Sequence, residues 1–283
     1  MVWALIASLA IVFSSGALPI KIPLPPASAP AMVPIRSSLP YDTEAERQLL
    51  VMANQARVQA GLPPLQLDEG LTQAARAHAA VLAARQQLSH QLPGEPSLAQ
   101  RLAASSRLHL DRAGENVSFA PSVDQAQLGL MHSAPHRENL LNATYNIAGF
   151  GVVRNGYTLY VAQDFGHGLP TYSAQASEDI VAASVNRMRG AAKLPQLRRL
   201  EGSAAQAAAC SMARENSLNT PVSHEMAQSH YLLRYTSDQP ETLPSGAGRA
   251  VGDRDVRAFS VGSCYARTAS YPNGVYWVTV LFY

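Results

Sequence analysis

The spacing of apolar positions predicts helices in two separate parts of the chain. Apolar or small residues recur at helical spacing at Leu49, Leu50, Ala53, Ala56 and Ala60, and again at Ile180, Val181, Ser184, Val185 and Met188. An alanine-rich segment follows each set, from Leu71 and from Ser203, and predicts a second helix that packs closely. Thr43 and Glu46 fit a capping box at the start of the first helix.

Three segments rich in β-branched and aromatic residues predict strands. "NIAGFGVVR" and "YTLYVAQDF" flank Asn155-Gly156, and "VYWVTVLFY" follows Asn273-Gly274. Asn-Gly supplies the two positive-φ positions of a tight type I′ turn. Each Asn-Gly pair therefore predicts a β-hairpin.

The chain also contains an internal repeat. Residues 54–70 and 186–202 align without a gap and share Asn-x-x-Arg, Leu-Pro-x-Leu and Glu-Gly. Each copy continues with an alanine-rich helix and closes with a hairpin. We therefore predict two α+β units, residues 41–168 and 174–283, and only the first contains the stretches "GENVSFA" and "MHSAPHREN".

The N-terminal pattern predicts export. Residues 1–17 combine an apolar run with a small-x-small site ending at Ala17, as a signal peptide does, although only the terminal amine precedes the run. Proline recurs through residues 18–40, which predicts an extended linker. The folded part is expected to start near Tyr41, in a secreted, periplasmic or cell-surface protein.

Composition narrows the class of partner. Hydrophobic residues make up 47% of the chain and charged residues 15%, which is typical of a globular protein. The net charge is +2 and the basic residues are scattered, so a nucleic-acid partner is not indicated. In an exported protein, Cys210 and Cys264 are expected either to form a disulfide or to be two separately buried thiols.

Candidate chemistry lies in the first copy, at His90, Glu115 and His136. Two histidines and a glutamate can bind Zn²⁺ or another divalent cation, but no short metal-binding motif joins these positions. His90 also suits the C-terminal end of a helix, and Glu115 suits the N–H groups of a turn. Ser133 fits an N-cap, which places His136 in the first turn of the next helix.

Other residues carry less chemistry. His78, inside the alanine-rich helix, is expected to be a hydrogen-bonded core or edge residue, and His132 is expected to be solvated. The sequence has no Gly-x-Ser-x-Gly elbow. Because both cysteines lie in the second copy, a Cys–His nucleophile is not favoured.

The order of motifs over residues 44–166 resembles a known family. The motifs are Leu62-Pro63-x-Leu65-x-x-Asp68, Ser89-His90, Gly114-Glu115-Asn116, Ser133-x-x-His136-Arg137-x-Asn139-Leu140-Leu141 and Gln163-Asp164-Phe165. Together they are similar to the CAP superfamily (cysteine-rich secretory, antigen 5, pathogenesis-related 1) in its bacterial extracellular form.

This resemblance implies an α-β-α sandwich with a cleft that bears two histidines and two acidic residues. His90, Glu115 and His136 match three of the four cleft positions, and Ser133 occupies the fourth. "GENVSFA" and "MHSAPHREN" are expected to face each other across this cleft. The second unit looks like a shorter, degenerate CAP repeat, in which His224 is the nearest counterpart of His90.

Members of this family have been assigned ligand-binding, peptidase and cell-wall roles, so the resemblance leaves two functions open. The first is an exported binding module whose cleft takes a divalent cation, a polar ligand, a lipid or a cell-envelope component. The second is a metal-dependent hydrolase of peptide or cell-wall bonds, with His90 and His136 as Zn²⁺ ligands and Glu115 as third ligand or general base. The sequence favours the binding module, because no activated nucleophile is visible.

Overall fold

The structure, a computed structural model, describes residues 40–283 and the backbone of residues 9–14. The described residues divide into two compact units that meet between Leu169 and Pro170. The predicted signal peptide and linker lie outside the described residues, apart from a strand at Leu9–Ser14 and from Pro40.

The first unit is built around one mixed sheet. Its elements are β1 (Leu9–Ser14), α1 (Thr43–Gln59), β2 (Gln66–Leu67), α2 (Glu69–Arg85), α3 (Leu98–Ser105), β3 (His109–Ala120), α4 (Val123–His132), α5 (Ala134–Leu140), β4 (Ile147–Asn155) and β5 (Thr158–Leu169). The strand order is β1-β3-β5-β4-β2, with β2 parallel to β4 and the other neighbours antiparallel. The long strands β3 and β5 therefore run side by side in its interior.

Helices cover both faces of this sheet, because side chains alternate between the two faces along each strand. On one face, Leu49 of α1 packs with Phe165 of β5. On the other face, Ala79 of α2 packs with Val117 of β3 and Ala162 of β5. The first unit is thus an α-β-α sandwich.

Short polar contacts and glycines set where the helices begin and how closely they pack. The capping-box prediction is wrong: Asp42, not Thr43, is the N-cap of α1, and its carboxylate accepts the N–H of Ala45 at 3.1 Å. Glu46 instead binds Arg76 of α2. A side chain at Gly151 would lie 2.2 Å from the backbone of α2, so glycine is what lets this helix approach the sheet.

The turn between β4 and β5 is tight, as predicted, but of another type. Asn155 pairs with Thr158 inside the ladder, so the two turn residues are Gly156 and Tyr157. Among the described turn residues only Gly156 has a positive φ, +61°, which suits the first central position of a type II′ turn. The second predicted hairpin turn is wrong, because a segment over residues 267–274 separates the two strands there.

The second unit has a smaller sheet with the same kind of order. Its elements are α6 (Ala174–Ala191), β6 (Arg198–Arg199), α7 (Ser203–Glu215), α8 (His224–Ala227), β7 (Tyr231–Ser237), α9 (Ala247–Gly252), β8 (Ala258–Ala266) and β9 (Val275–Phe282). The strands lie in the order β6-β8-β9-β7, with β6 parallel to β8. The order β2-β4-β5-β3 of the first unit is its counterpart.

A buried arginine ties each unit together in the same way. Arg57 Nε donates to the carbonyl of Pro63 at 2.9 Å, and its other nitrogens donate to the carbonyls of Leu140, Asn142 and Tyr145. In the second unit, the four carbonyls that accept from Arg189 belong to Pro195, Val251, Asp253 and Val256. Leu65 and Leu197 likewise donate their N–H to the side chains of Asn54 and Asn186.

One covalent cross-link lies within the second unit. Cys210 of α7 and Cys264 of β8 form a disulfide, with their Cα atoms 5.1 Å apart. Over residues 40–283, no helix combines the length and apolar character needed to cross a membrane.

Candidate functional site

Glu115 and His90 form the centre of the candidate site. Glu115 lies midway along β3 and is 1% exposed, and His90 lies in the segment between α2 and α3 and is 6% exposed. The ring nitrogen Nδ1 of His90 is 2.8 Å from Oε1 of Glu115. Since an ionised carboxylate only accepts hydrogen bonds, Nδ1 carries a proton, and in the neutral imidazole Nε2 is then an acceptor. Nε2 of His90 is buried and has no hydrogen-bond partner.

Arg101 of α3 occupies the other side of the Glu115 carboxylate. It makes a buried ion pair with Oε2 of Glu115 and also donates to the backbone carbonyl of His90 at 3.1 Å. Both carboxylate oxygens of Glu115 therefore have partners. Arg101 thus holds the strand residue and the segment that carries His90 in one arrangement.

A second histidine–glutamate pair supports the first. His78 of α2 lies 2.6 Å from Oε1 of Glu95 through Nδ1 and 3.0 Å from the carbonyl of Ser89 through Nε2. The other oxygen of Glu95 accepts the N–H of Leu92 at 3.1 Å. This fits the expectation of a hydrogen-bonded core histidine, and it fixes the chain on both sides of His90.

The electrostatics of Glu115 follow from these neighbours. Burial raises the pKa of Glu115, but the hydrogen bond from His90 and the charges of His78 and Arg101 outweigh burial, so the net shift is downward. Glu115 therefore stays ionised at neutral pH. In the neutral form of His90, an ionised Glu115 orients the ring with its proton on Nδ1 and its lone pair on Nε2.

Asp164 of β5 is a site residue to which the sequence interpretation gave no role. It pairs directly with Glu115 in the register of β3 and β5 and is fully buried. Burial raises its pKa well above the usual range, and the neighbouring charge of Glu115 raises it further. A hydrogen-bonding contact with the Glu115 carboxylate raises it as well, and among the described residues the Asp164 oxygens have no other partner. A neutral Asp164 thus lies beside an ionised Glu115.

Beside the motif Gln163-Asp164-Phe165, the sequence marks Asp164 as a carboxyl group inside an apolar strand segment. Charged residues are seldom fully buried unless they are paired, so the acid in "YVAQDF" was a detectable anomaly. The register that brings Asp164 to Glu115 joins distant strands, and no local pattern encodes it.

The opposite face of β3 carries a network of amides. Asn116 follows Glu115 and points to the other face. Its amide donates to the backbone carbonyl of His136 at 3.0 Å and to Gln163 of β5 at 3.2 Å. Asn139 of α5 donates to the carbonyl of Glu115 and to Asn116, each at 3.1 Å. The stretches "GENVSFA" and "MHSAPHREN" are therefore in direct contact, as expected, but the contact is made by asparagines.

His136 has a different set of neighbours from His90. Ser133 is the N-cap residue of α5, and its hydroxyl lies 2.6 Å from Nδ1 of His136 instead of capping the helix. The structure thus joins the predicted residues in two pairs, His90 with Glu115 and His136 with Ser133. Over residues 40–283, no three histidine, cysteine, aspartate or glutamate side chains are arranged to hold a metal ion. The Zn²⁺ set His90, Glu115 and His136 stays a prediction.

Comparison with known proteins identifies the first unit. Residues 50–165 match the model of the cysteine-rich secretory protein family, CAP. The first unit contains a CAP domain. The match spans α1 to β5, which are the elements that carry His90, Glu115, His136 and Asp164.

Relatives of this CAP domain occur in bacteria. The chain is 31% identical over 124 residues to the uncharacterized protein YkwD of Bacillus subtilis, covering 42% of this chain and 47% of YkwD. It is 32% identical over 117 residues to the uncharacterized membrane protein YlbC of the same organism, covering 41% of this chain and 34% of YlbC. The chain thus spans less than half the length of these curated relatives.

A solved structure is also similar to the CAP domain. It is an extracellular protein containing an SCP domain from Bacillus anthracis, with 27% sequence identity and a TM-score of 0.39. The similarity covers 44% of this chain and 41% of that protein.

Proposed function

We propose that this chain is an exported binding protein whose CAP domain takes a small polar ligand at His90, which Glu115 orients, and that Ser133 and His136 form a second polar pair of the same domain. The observation that carries the proposal is the buried Nε2 of His90, which has no hydrogen-bond partner. An unpaired buried acceptor costs free energy, about 1–3 kcal/mol. A ligand that donates a hydrogen bond to Nε2 removes this cost.

A divalent cation is the other ligand class that suits this nitrogen. A metal-binding histidine commonly donates its second ring nitrogen to a carboxylate, as His90 does to Glu115. Glu115 fits less well as a further ligand, because it is buried and its carboxylate is already paired with Arg101 and bonded to His90. The three predicted ligands thus do not supply a complete centre, and a polar organic ligand, a lipid headgroup or a cell-envelope component suits the site better.

The same contacts weigh against a hydrolase. That function needs Glu115 as a third ligand or as a general base, and the buried ion pair with Arg101 and the lowered pKa of Glu115 disfavour both roles. Asp164 does not replace it, because its pKa is raised and its carboxyl is fully buried. Binding is therefore the function that the geometry supports best.

We also propose that residues 170–283 are a degenerate CAP-like repeat. Support comes from the shared strand order. It also comes from the two buried arginines, since Arg57 donates to four backbone carbonyls of the first unit and Arg189 donates to four of the second. The predicted signal peptide and the Cys210–Cys264 disulfide support export, since disulfides persist in oxidising compartments.

Two titrations of the exported chain test the binding proposal: Zn²⁺ by calorimetry and purified peptidoglycan by co-sedimentation. Each uses wild type, His90→Ala, His136→Ala and, as matched control, His132→Ala, which removes an exposed histidine of the same region. Binding of either probe that is lost in His90→Ala and kept in His132→Ala supports the site. Loss with His136→Ala as well, for Zn²⁺ alone, identifies a cation site. Binding of neither probe, or equal binding by all four proteins, overturns the proposal.

A further inference from the structure

The second unit contains a basic cavity that the proposed ligand site does not use. This cavity, of about 470 Å³, is lined by Arg189, Lys193, Arg254, Arg257 and five neutral residues. Lys193, Arg254 and Arg257 are exposed, whereas Arg189 is 2% exposed and forms its inner wall. No carboxylate lines the cavity. Four cations thus surround one concave space without an anion among them.

The nearby acids offset only part of this charge, since Asp253 acts on Arg189 from outside the cavity lining. Asp253 and Asp255 lie in the same loop, but neither lines the cavity. One oxygen of Asp253 accepts the hydroxyl of Tyr231 at 2.7 Å, and the other accepts the N–H of Asp255 at 2.8 Å. Asp253 thus offsets one of the four positive charges, and Asp255 is exposed to solvent.

The first unit provides an internal control for these cations. The gapless repeat aligns Lys193 with Gly61. The carbonyl acceptors of the two buried arginines give a second alignment, in which residues 253 and 256 correspond to residues 142 and 145. By the same match, Arg254 corresponds to Ala143 and Arg257 to Asn146. The buried arginine is thus part of the common scaffold, and the other three cations are particular to the second unit.

Lys193 has a backbone conformation that is unfavourable for a lysine, which indicates that its side chain has a role. Its φ is +56°, and the matched Gly61 has a φ of +75°. The left-handed region disfavours residues with a Cβ atom, by roughly 1–2 kcal/mol per residue. A lysine here costs stability that a glycine avoids, and the ammonium group it adds lies at the cavity.

Charge crowding around Arg189 supports the same reading. Burial lowers the pKa of Arg189, and the positive charge of Arg257 lowers it further. For Arg57, burial alone lowers the pKa. Arg189 donates to four carbonyls, so one of its five N–H donors remains. Bringing an anion into the cavity relieves this repulsion.

From this arrangement we infer that Lys193, Arg254 and Arg257, together with Arg189, form an anion-binding pocket in the second unit that takes a phosphate group. Guanidinium groups bind phosphate through paired N–H donors, and an ammonium group adds a point charge. A phosphate carries more charge than a carboxylate, which matches a pocket with three exposed cations. The phosphate belongs either to a small soluble ligand or to a phospholipid headgroup.

The test compares wild type with the triple variant Lys193→Gly, Arg254→Ala, Arg257→Asn, which installs the residues of the first unit. Arg198→Gln is the matched control: it removes one exposed arginine of this unit that does not line the cavity, and Gln66 is its counterpart. All substituted positions are exposed, and a thermal melt verifies that each variant is folded. Inorganic phosphate is titrated by calorimetry, and binding to vesicles of phosphatidylglycerol or phosphatidylcholine is measured by co-sedimentation.

We expect phosphate, or phosphatidylglycerol vesicles, to bind wild type and Arg198→Gln alike and to bind the triple variant at least about tenfold more weakly. Binding of inorganic phosphate indicates a soluble ligand. Binding of phosphatidylglycerol vesicles without inorganic phosphate or phosphatidylcholine indicates an anionic headgroup. Binding of no probe, or equal losses in the triple variant and in Arg198→Gln, overturns the inference. These variants leave His90 unchanged, so this result is independent of the ligand proposed for the CAP domain.

Discussion

The two units each contain a sheet of similar strand order, and they place very different side chains at corresponding points of these two sheets. In the first unit, Glu115 of β3 pairs with Asp164 of β5. In the second unit, the corresponding strands pair Leu232 with Leu281. On the other face, the pair Asn116 and Gln163 corresponds to Leu233 and Val280. The sheet therefore forms equally well with apolar pairs.

This difference separates what the fold needs from what the first unit adds. Replacing buried ionic groups by apolar residues of similar volume is often neutral or stabilising. The second unit forms a sheet of the same strand order with leucines at these points, so this strand order does not require a Glu–Asp pair. What the first unit gains from Glu115 and Asp164 is a fixed His90 with a free ring nitrogen. The buried polar network around Glu115 thus lowers stability and occurs in the first unit, whereas a buried arginine bound to four carbonyls occurs in both units.

The two buried arginines give the largest expected effect on the free energy of unfolding. We predict that Arg57→Ala and Arg189→Ala each lower the free energy of unfolding of their own unit by about 4–5 kcal/mol, because four carbonyls lose a charged donor. Native-state hydrogen exchange, followed on peptides from each unit, measures the two effects separately. Arg47→Ala, which breaks an exposed pair with Glu44, is the control and should leave the stability almost unchanged. Small or unequal losses at Arg57 and Arg189 would contradict a shared scaffold.

The polar pair gives effects of opposite sign. Glu115→Leu leaves Arg101 buried without its partner, so we predict a loss of about 3 kcal/mol at neutral pH. Asp164→Leu removes a buried acid whose oxygens have, among the described residues, no partner other than the Glu115 carboxylate, and we predict a gain of about 1 kcal/mol. Urea unfolding of both variants measures these changes. If both substitutions destabilise equally, Asp164 is bonded as firmly as Glu115, and the comparison fails.

The pH dependence of the amide variants sharpens this prediction. The pKa of Glu115 is lowered in the fold, so its stabilisation is present above its unfolded pKa and is lost as pH falls through the folded pKa. The pKa of Asp164 is raised, so its contribution is present below its unfolded pKa and is lost as pH rises through the folded pKa. Glu115→Gln should therefore flatten the acid side of a plot of Tm against pH, and Asp164→Asn should flatten the alkaline side. The reverse assignment would contradict both shifts.

Much of the scaffold was predictable because its signals are local. The helical spacing at Leu49 and Val181 correctly predicted α1 and α6, and the β-branched runs correctly predicted β4, β5 and β9. The cap of α1 was mispredicted because Asp42 and Thr43 are both good N-cap residues and only the backbone decides between them. The turn type was mispredicted because Asn155 joins the ladder.

The candidate site was only partly predictable because its contacts are long-range. Motif resemblance singled out His90, Glu115, His136 and Ser133. It included Asp164 in a motif without a role and did not include Arg101, since the contacts of Glu115 with α3 and β5 are long-range. Nor could it show that Asn116, rather than Glu115, points toward α5. The face of the sheet to which each side chain points depends on the register of β3, and a shift of one residue moves every side chain to the opposite face.

The smallest expected effect on stability concerns the left-handed backbone position that Gly61 occupies in the first unit and Lys193 in the second. Gly61 has open space around it, so Gly61→Lys adds no clash and its cost is that of the backbone alone, about 1 kcal/mol of unfolding free energy for the first unit. Lys193→Gly removes the same cost from the second unit. However, glycine loses more entropy on folding, by roughly 0.5–1 kcal/mol, so the net gain should be below about 1 kcal/mol. Hydrogen exchange of each unit measures both changes, with Arg198→Gln as a control that leaves φ unchanged. A loss of stability in Lys193→Gly would mean that the lysine side chain stabilises the unit without an anion, and the basic cavity would then be structural.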